Sequence, residues 1–326
     1  MDDDERALFD ETLRRACASS SGTALDRALD DLGWAEALST DPRLAVSSLF
    51  DRLGSTNASA SALNAVIGSA LGLETGPVVG TVLPAPGHGH PPGRIDDRYL
   101  AVRGVGTASL VGASTAWVVA VAGADPATGD GTVAVEVAVA DLTLRVVQGA
   151  DPRLGLVEVT GDLLPLPATR PLPPGGWPQA VARGRLAVGH ELVGASRAML
   201  ELARAHALER IQFGQPIAAF QAVRHRLADT LVAIEATDAA LGSAWDEGTP
   251  AAAATAKSLA GRSARTAARH SQQVLAGMGF TTEHDLHHYV RRVLVLDQLF
   301  GTARTLTREL GAGLLATRRL PALPPL

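Results

Sequence analysis

The hydrophobic positions along this chain change their period twice. Up to about residue 73 they recur at helical spacing in short bursts. "TALDRALDDLGWAEAL" sets Leu25, Leu29, Leu32 and Leu38 near i, i+3/i+4, and "SALNAVIGSALGL" keeps the same period. Gly72 and the "TGP" at 75–77 end that region. From 77 to 165 the pattern becomes short β-type runs broken by Gly, Pro and Asp: "AWVVAVAG" (116–123), "GTVAVEVAVAD" (131–141), "LRVVQG" (144–149) and "GLVEVTGD" (155–162). Alternation of Val133, Val135, Val137 and Val139 predicts a half-buried strand. The set predicts a small antiparallel sandwich or barrel, with "LPAPGHGHPPG" (83–93) as a loop. "LPLPATRPLPPGGWP" (164–178) is a Pro-rich connector.

Helical spacing then returns in four long segments: 178–210, 217–244, 250–277 and 285–316. The second is clearest, with Phe220, Val223, Leu227, Leu231, Ile234, Leu241 and Trp245 on one side. "QFGQP", "DEGTP" and "GMGFTTE" separate the four, which predicts an up-and-down bundle. The expected fold class is therefore α+β. N-terminal helices (1–75) precede a middle antiparallel β-domain (76–165), a Pro-rich linker (166–177) and a C-terminal four-helix bundle (178–326).

Composition narrows the function classes. No apolar run reaches the roughly 20 residues that span a bilayer. The N-terminus "MDDDERALFDETLRRA" is acidic and amphipathic, unlike a signal peptide, so a cytoplasmic protein with no membrane partner is expected. A net charge of −5 leaves no footprint for nucleic acid. The lone Cys17 excludes an internal disulfide and a cysteine-based metal cluster. His284, His287 and His288, with Asp285, have a spacing that could bind a metal. The favoured reading is a solvated helix start, and no metal is expected.

The stretch "ERIQFGQPIAAFQAVRHRLAD" (209–229) reads as a helix end, a tight turn and a new helix. It gathers Arg210, Gln212 and Phe213 around Gly214-Gln215-Pro216, with Phe220 and Gln221 following. A guanidinium beside an aromatic ring can hold a phosphate and stack a flat group. The plainer alternative is an Arg complementing a helix dipole and a Phe in the core. On spacing alone the plainer role is favoured.

That stretch, however, closely resembles the R-x-x-F-G-x-x-[IL]-x-x-x-Q element of acyl-CoA dehydrogenases. "QVLAGMGFTTEHDLHHYVRR" (273–292) is similar to the same family's Q-x-x-G-G-x-G-F-x-x-E segment, with Ala276-Gly277 where the family has paired glycines. The resemblance implies the family's order of N-terminal helices, β-domain and bundle. It also implies that the two motifs reach across a subunit interface to the adenosine-diphosphate part of a neighbour's FAD. Arg210 would pair with the pyrophosphate and Phe213 would pack near the cofactor. Gln212, Phe220, Gln221, Gln273, Ala276 and Gly277 would complete the set.

The family's reaction needs a carboxylate to take the α-proton of an acyl thioester. Counted from Gln273 through Gly279, Phe280 and Glu283 to Gly301-Thr302, the usual Glu position falls on Phe300. The alternative position, just before an Arg on the first bundle helix, falls on Gly184. That Arg matches Arg185, a candidate substrate contact. The flavin-covering loop and its Trp element correspond to "TVLPAPGHGH" and "ASLVG", without the acid, the Ser-Asp or the Trp.

The resemblance thus implies the non-catalytic small subunit of a heteromeric, actinobacterial acyl-CoA dehydrogenase of the steroid-degradation kind. Its partner would be a larger catalytic subunit in an α2β2 assembly, acting on a bulky acyl-CoA with shared FAD. Two other readings stay open. One is a self-contained dehydrogenase with a displaced base (Glu191, Glu283 or Asp297). The other is a binding or scaffold protein.

Overall fold

The computed structural model describes residues 3–122 and 131–318. Gly123 of the first strand run and residues 319–326 of the expected bundle lie outside them. Five helices open the chain: α1 (Asp3–Ser19), α2 (Thr23–Asp31), α3 (Trp34–Thr40), α4 (Pro42–Thr56) and α5 (Leu63–Leu71). Local chemistry sets their ends. Asp41 accepts a hydrogen bond from Leu44 N at 3.0 Å ahead of Pro42, a pre-formed helix start. Gly72, with φ 65°, closes α5 in the left-handed region.

The middle of the chain forms one sheet, ordered β7-β8-β4-β3-β5-β6-β9, with β1 added to β5 and β2 to β4. Its strands are β1 (Val79–Thr81), β2 (Leu83–Pro84), β3 (Gly93–Asp96), β4 (Tyr99–Gly106), β5 (Thr115–Ala122), β6 (Thr132–Ala138), β7 (Thr143–Val146), β8 (Val157–Pro165) and β9 (Thr169–Pro171). The expectation of an antiparallel domain needs correction. Both β1 and β3 pair with β5 in parallel, so the sheet is mixed. Periodicity reports which face a strand buries, not the direction of its neighbour. The Pro-rich stretch is also not wholly a connector: Thr169–Pro171 is an edge strand on β6, where proline is tolerated.

The bundle comprises α6 (Gly176–Glu209), α7 (Gln221–Glu247), α8 (Pro250–Leu275), α9 (Leu286–Leu296) and α10 (Ala303–Thr317). The fourth expected helix is thus two, broken at 297–302. Along α7 the apolar side is only partly covered, and Leu231 is exposed. α6 and α8 run toward the same end of the bundle, tied by the hydrogen bond from Ser271 Oγ to Met199 O at 3.0 Å. α7 returns antiparallel, with Thr230 bonded to His270 near its start and Leu241 against Gly189 near its end. The small-residue run around Gly194 permits a close crossing of α4 and α6. A Cβ on Gly194 would lie 2.1 Å from Asp51 O, and one on Gly54 2.0 Å from Glu191 O. One continuous core therefore joins the N-terminal helices to the bundle, and the sheet keeps a second core around Val102, Val118 and Val159.

Candidate functional site

The break between α9 and α10 lies against the first bundle helix. Phe300 and Gly301 both take left-handed backbone, φ 56° and 101°, which turns the Phe300 ring onto α6. A Cβ built on Gly184 would lie 2.6 Å from Phe300 Cζ. The ring thus occupies the volume that any side chain at 184 would need, and it is only 1% exposed. Arg185 Nε donates to Phe300 O at 3.1 Å, so this guanidinium holds the turn. Its pKa is lowered by burial. The loop at 85–90 closes over the same spot. Gly87 N donates to Gln298 O at 2.7 Å, and Trp177 Nε1 to Gly89 O at 2.9 Å. Phe300 and Gly184, the two positions where sequence reasoning looked for a base, are direct neighbours and carry no proton acceptor.

Two of the three other candidate carboxylates, Asp297 and Glu191, are already engaged. Asp297 Oδ2 pairs with Arg265 at 2.7 Å, and Oδ1 accepts from Ala303 N at 3.0 Å. Lys257 lies fully buried beneath the turn, 3.7 Å from Asp297 Oδ1 and bonded to the carbonyls of Asp297 and Gly301. Burial drives its pKa down to about 8 against the pull of Asp297. Glu191 bonds Arg292 at 3.1 Å. Arg292, 0% exposed, also grips Asp151 of the sheet domain, the Ala58 and Asn57 carbonyls and Ser59 Oγ. One guanidinium thereby ties together all three parts of the fold. Burial still pushes the Glu191 carboxyl up to about 7, with Arg292 opposing. Glu283 stands exposed in the turn before α9.

At the far end of the bundle the chemistry faces outward. Arg210 follows the last residue of α6, and a two-residue hairpin comes next: β10 (Ile211–Gln212) and β11 (Gln215–Pro216). Its turn residues Phe213 and Gly214 have φ 51° and 80°, the sign pattern of a type I′ turn. A bulky aromatic in left-handed backbone is an outlier, and here the ring is 91% exposed. Phe220 meets it edge-on at 6.1 Å. Gln221 opens α7 and is exposed, as are Gln212 and Arg210. The second motif lies at the same end, since α8 stops beside α6. There Gln273, Ala276 and Gly277 are exposed, with Phe280 at 70%. Nothing comes within 4 Å of a Cβ built on Gly277. Ala276 adopts φ 51° and ψ −130°, a conformation suited to glycine. The electrostatic surroundings of His206 include both Arg210 and His284, which places the two motifs near one another.

Residues 176–315 match the family model described as "Acyl-CoA dehydrogenase, C-terminal domain". Residues 176–315 are thus an acyl-CoA dehydrogenase C-terminal domain. Among relatives, acyl-CoA dehydrogenase IpdE2 of Mycobacterium tuberculosis is 40% identical over 120 residues, covering 37% of this chain and 38% of that protein. IpdE2 of Mycolicibacterium smegmatis is 32% identical over 127 residues, 39% of this chain and 41% of that one. These alignments span about two fifths of each relative. Solved structures share the whole fold. A variant of the Tcur3481-Tcur3483 steroid ACAD superposes with TM-score 0.77 at 22% identity, covering 97% of this chain and 99% of that one. The ChsE4-ChsE5 complex from Mycobacterium tuberculosis does so with TM-score 0.77 at 20% identity, over 98% and 97%.

The two sequence motifs thus gather at the tip, and Phe300 and Gly184 gather at the closed turn. Sequence reasoning missed three contributors to that turn: Lys257, Gln298 and Trp177. The only lysine of the chain, set in an Ala-rich helix, was the available signal for the first. The three histidines of "TEHDLHH" do not converge with other ligands, and the described residues hold no group of three or more metal-binding side chains. No helix among them is long and apolar enough to cross a membrane.

Proposed function

We propose that this chain is the non-catalytic small subunit of a heteromeric, FAD-dependent acyl-CoA dehydrogenase. Its larger catalytic partner, in an α2β2 assembly, desaturates a bulky acyl-CoA thioester of the steroid-derived kind. The observation that carries this reading is the contrast between the Phe300 ring seated on Gly184 and the Phe213 ring held out to solvent. The first leaves no base and no room at the chain's own site. The second presents an aromatic ring, a free guanidinium and open backbone where an outside phosphate and flat ring could lie.

The tip fits the adenosine-diphosphate half of FAD by its donor set: Arg210 for a pyrophosphate, the Gln221 and Gln273 amides, and backbone at Gly277 free to approach closely. FAD, when bound by the partner, would supply the hydride acceptor of the reaction. Gly184 and Arg210 are 26 residues apart on α6, about 39 Å at helical rise, so the tip is remote from the chain's own base positions. Heteromery is also favoured by the neighbouring structures, two of which are named as pairs, one of them a steroid enzyme. A self-contained enzyme using Asp297 is disfavoured because both of its carboxylate oxygens are committed.

Co-expression with a full-length catalytic subunit from the same organism tests this. The complex should carry flavin absorbance and dehydrogenase activity, and this chain alone should carry neither. Arg210→Ala in the complex should weaken FAD retention about ten- to a hundredfold, the loss of one charge-assisted phosphate contact. Flavin and turnover in the isolated chain would overturn the proposal. Unchanged FAD retention by Arg210→Ala would favour a scaffold instead.

A further inference from the structure

An open groove runs between the first half of α7 and the last half of α8, on a face that the reading above does not use. Ala222, His225, Arg226 and Asp229 line it from α7, and Arg269 and His270 from α8. On α7 these positions recur at i, i+3/i+4 and i+7, so one helix face carries them. Gln221 and Gln273 stand one turn nearer the tip, and none of the residues assigned to FAD lines the groove.

The groove is basic on a chain of net charge −5. It holds two arginines against one aspartate, with two histidines beside them. No hydrogen bond or ion pair ties the side chains of His225, Arg226, Asp229 or Arg269 to another described residue. Asp229 stands one turn from Arg226 without pairing with it, so the positive charge is not neutralised from within. His270 is held differently. Thr230 Oγ1 gives its one proton to Arg226 O at 2.8 Å. His270 Nδ1 lies 2.8 Å from that hydroxyl oxygen and 3.2 Å from the same carbonyl, so Nδ1 carries a proton and donates. Nε2 is left with a lone pair and no partner among the described residues. Burial, then Arg269 and Arg226, hold the imidazole pKa below its ordinary value, with the Arg226 carbonyl and Asp229 opposing. An anion between the two arginines would draw a proton onto Nε2 and turn it into a third donor.

We propose that this groove binds a phosphate group, held by the guanidiniums of Arg226 and Arg269 and by protonated His270 Nε2. Guanidinium forks match phosphate oxygens, and a doubly charged tetrahedral anion can take donors from two helices at once. A free phosphate ion and an organic phosphate monoester carry the same group. The proposal stands independently of the subunit role, because it uses none of the residues assigned to FAD.

Ring-proton NMR of the full chain, with His270 assigned through His270→Gln, tests it. Sulfate is the probe for the pH series, since it stays doubly charged where histidine titrates. Saturating sulfate should raise the His270 midpoint by about one pH unit, so sulfate binds more tightly as pH falls through the histidine range. Arg226→Gln and Arg269→Gln should each weaken binding about three- to tenfold. His225→Gln removes the other imidazole of the groove and should leave the His270 response in place. Arg210→Ala should leave it in place too; its loss there would put the anion at the tip and overturn this proposal without touching the FAD role. At neutral pH, inorganic phosphate and methyl phosphate separate the two sources of the group. A response to both supports an organic monoester, and a response to inorganic phosphate alone supports the free ion. Acetate stands in for an acidic side chain of a protein partner. A midpoint shift no larger than chloride gives at equal ionic strength, an equal response to acetate, or indifference to both arginine variants would each overturn the proposal. Should an arginine variant not fold, the order of sulfate, acetate and chloride on the unaltered chain decides alone.

Discussion

Phe213 and Phe300 share a backbone device and have opposite fates. Each sits in left-handed conformation, φ 51° and 56°, and each precedes a glycine that is also left-handed, φ 80° and 101°. One ring is 91% exposed and the other 1%. The same kind of turn thus swings an aromatic ring outward at one end of the bundle and inward at the other. The difference teaches that residue type and local conformation do not assign a role here; what the ring meets does. At the closed end the ring meets Gly184 and its turn is held by Lys257, Asp297 and Arg185. At the tip its aromatic partner is Phe220, met edge-on. Substitutions at the closed end should therefore act on stability, and those at the tip on what the chain holds for another.

The largest stability effect is expected at Arg292, which anchors the helix leading into the closed turn. Arg292→Met would leave Asp151 and Glu191 buried without a cation, along with the Ala58 carbonyl. Breaking a buried pair from one side costs about 3–5 kcal/mol, and two carboxylates are stranded here. Chemical denaturation should show that loss; a variant within about 1 kcal/mol of the parent would mean that water reaches the cluster.

Next comes Phe300→Ala, which opens a cavity against a glycine that cannot fill it. The expected loss is about 3 kcal/mol, near the low end for a buried Phe, because the turn is held by other groups. Phe300→Glu sharpens the comparison further. It places a carboxylate at the expected base position, yet under the proposed role it should give the isolated chain no dehydrogenase activity, since the loop at 85–90 packs onto Gln298 and closes over that spot. Activity from that single change would break the argument.

Between the two ends, adjacent residues of α6 should respond to pH in opposite senses. His190 Nε2 accepts from Trp245 Nε1 at 3.1 Å, and burial drives its pKa down to about 4 from 6.5. The unfolded chain takes the proton first, so its contribution is present above pH 6.5 and is lost as pH falls toward 4. The shift corresponds to roughly 3 kcal/mol. Glu191, raised to about 7, contributes below 4.5 and loses that contribution as pH rises through 7. The wild-type stability curve should look flat between those limits. His190→Gln, whose amide oxygen can still accept from Trp245, should remove the acid-side loss and leave a curve that rises as pH falls. Parallel curves for the two proteins would refute the assignment to His190.

The sequence carried the order of helices, sheet and bundle. It did not carry the break at 297–302. Leu296, Leu299, Ala303 and Leu306 continue a helical period across it, and Gly301 is the only local signal. Nor did it carry the parallel pairings on β5, because alternation encodes a buried face and not a partner. The contact of Phe300 with Gly184 joins positions more than a hundred residues apart, which spacing cannot report. Arg292 and Lys257 were opaque for a different reason: a charged residue in a helix reads as surface, and only the fold reveals that each has been buried with its partners.

The smallest expected effect has the opposite sign and belongs to the tip. Ala276 holds φ 51° and ψ −130°, where a Cβ is strained and a glycine is not. The residue is exposed, so its methyl group contributes little packing. Relief of strain, about 1–3 kcal/mol, exceeds the extra chain entropy that glycine loses on folding, about 0.5–1 kcal/mol. Ala276→Gly should therefore stabilise the isolated chain by about 1 kcal/mol. Within a complex it should leave FAD retention unchanged or slightly improved, since it returns the family's paired glycines without touching Arg210 or Gln273. A destabilised variant would mean that the alanine is not strained, and that the tip's backbone is set by its own sequence rather than kept for contact with another chain.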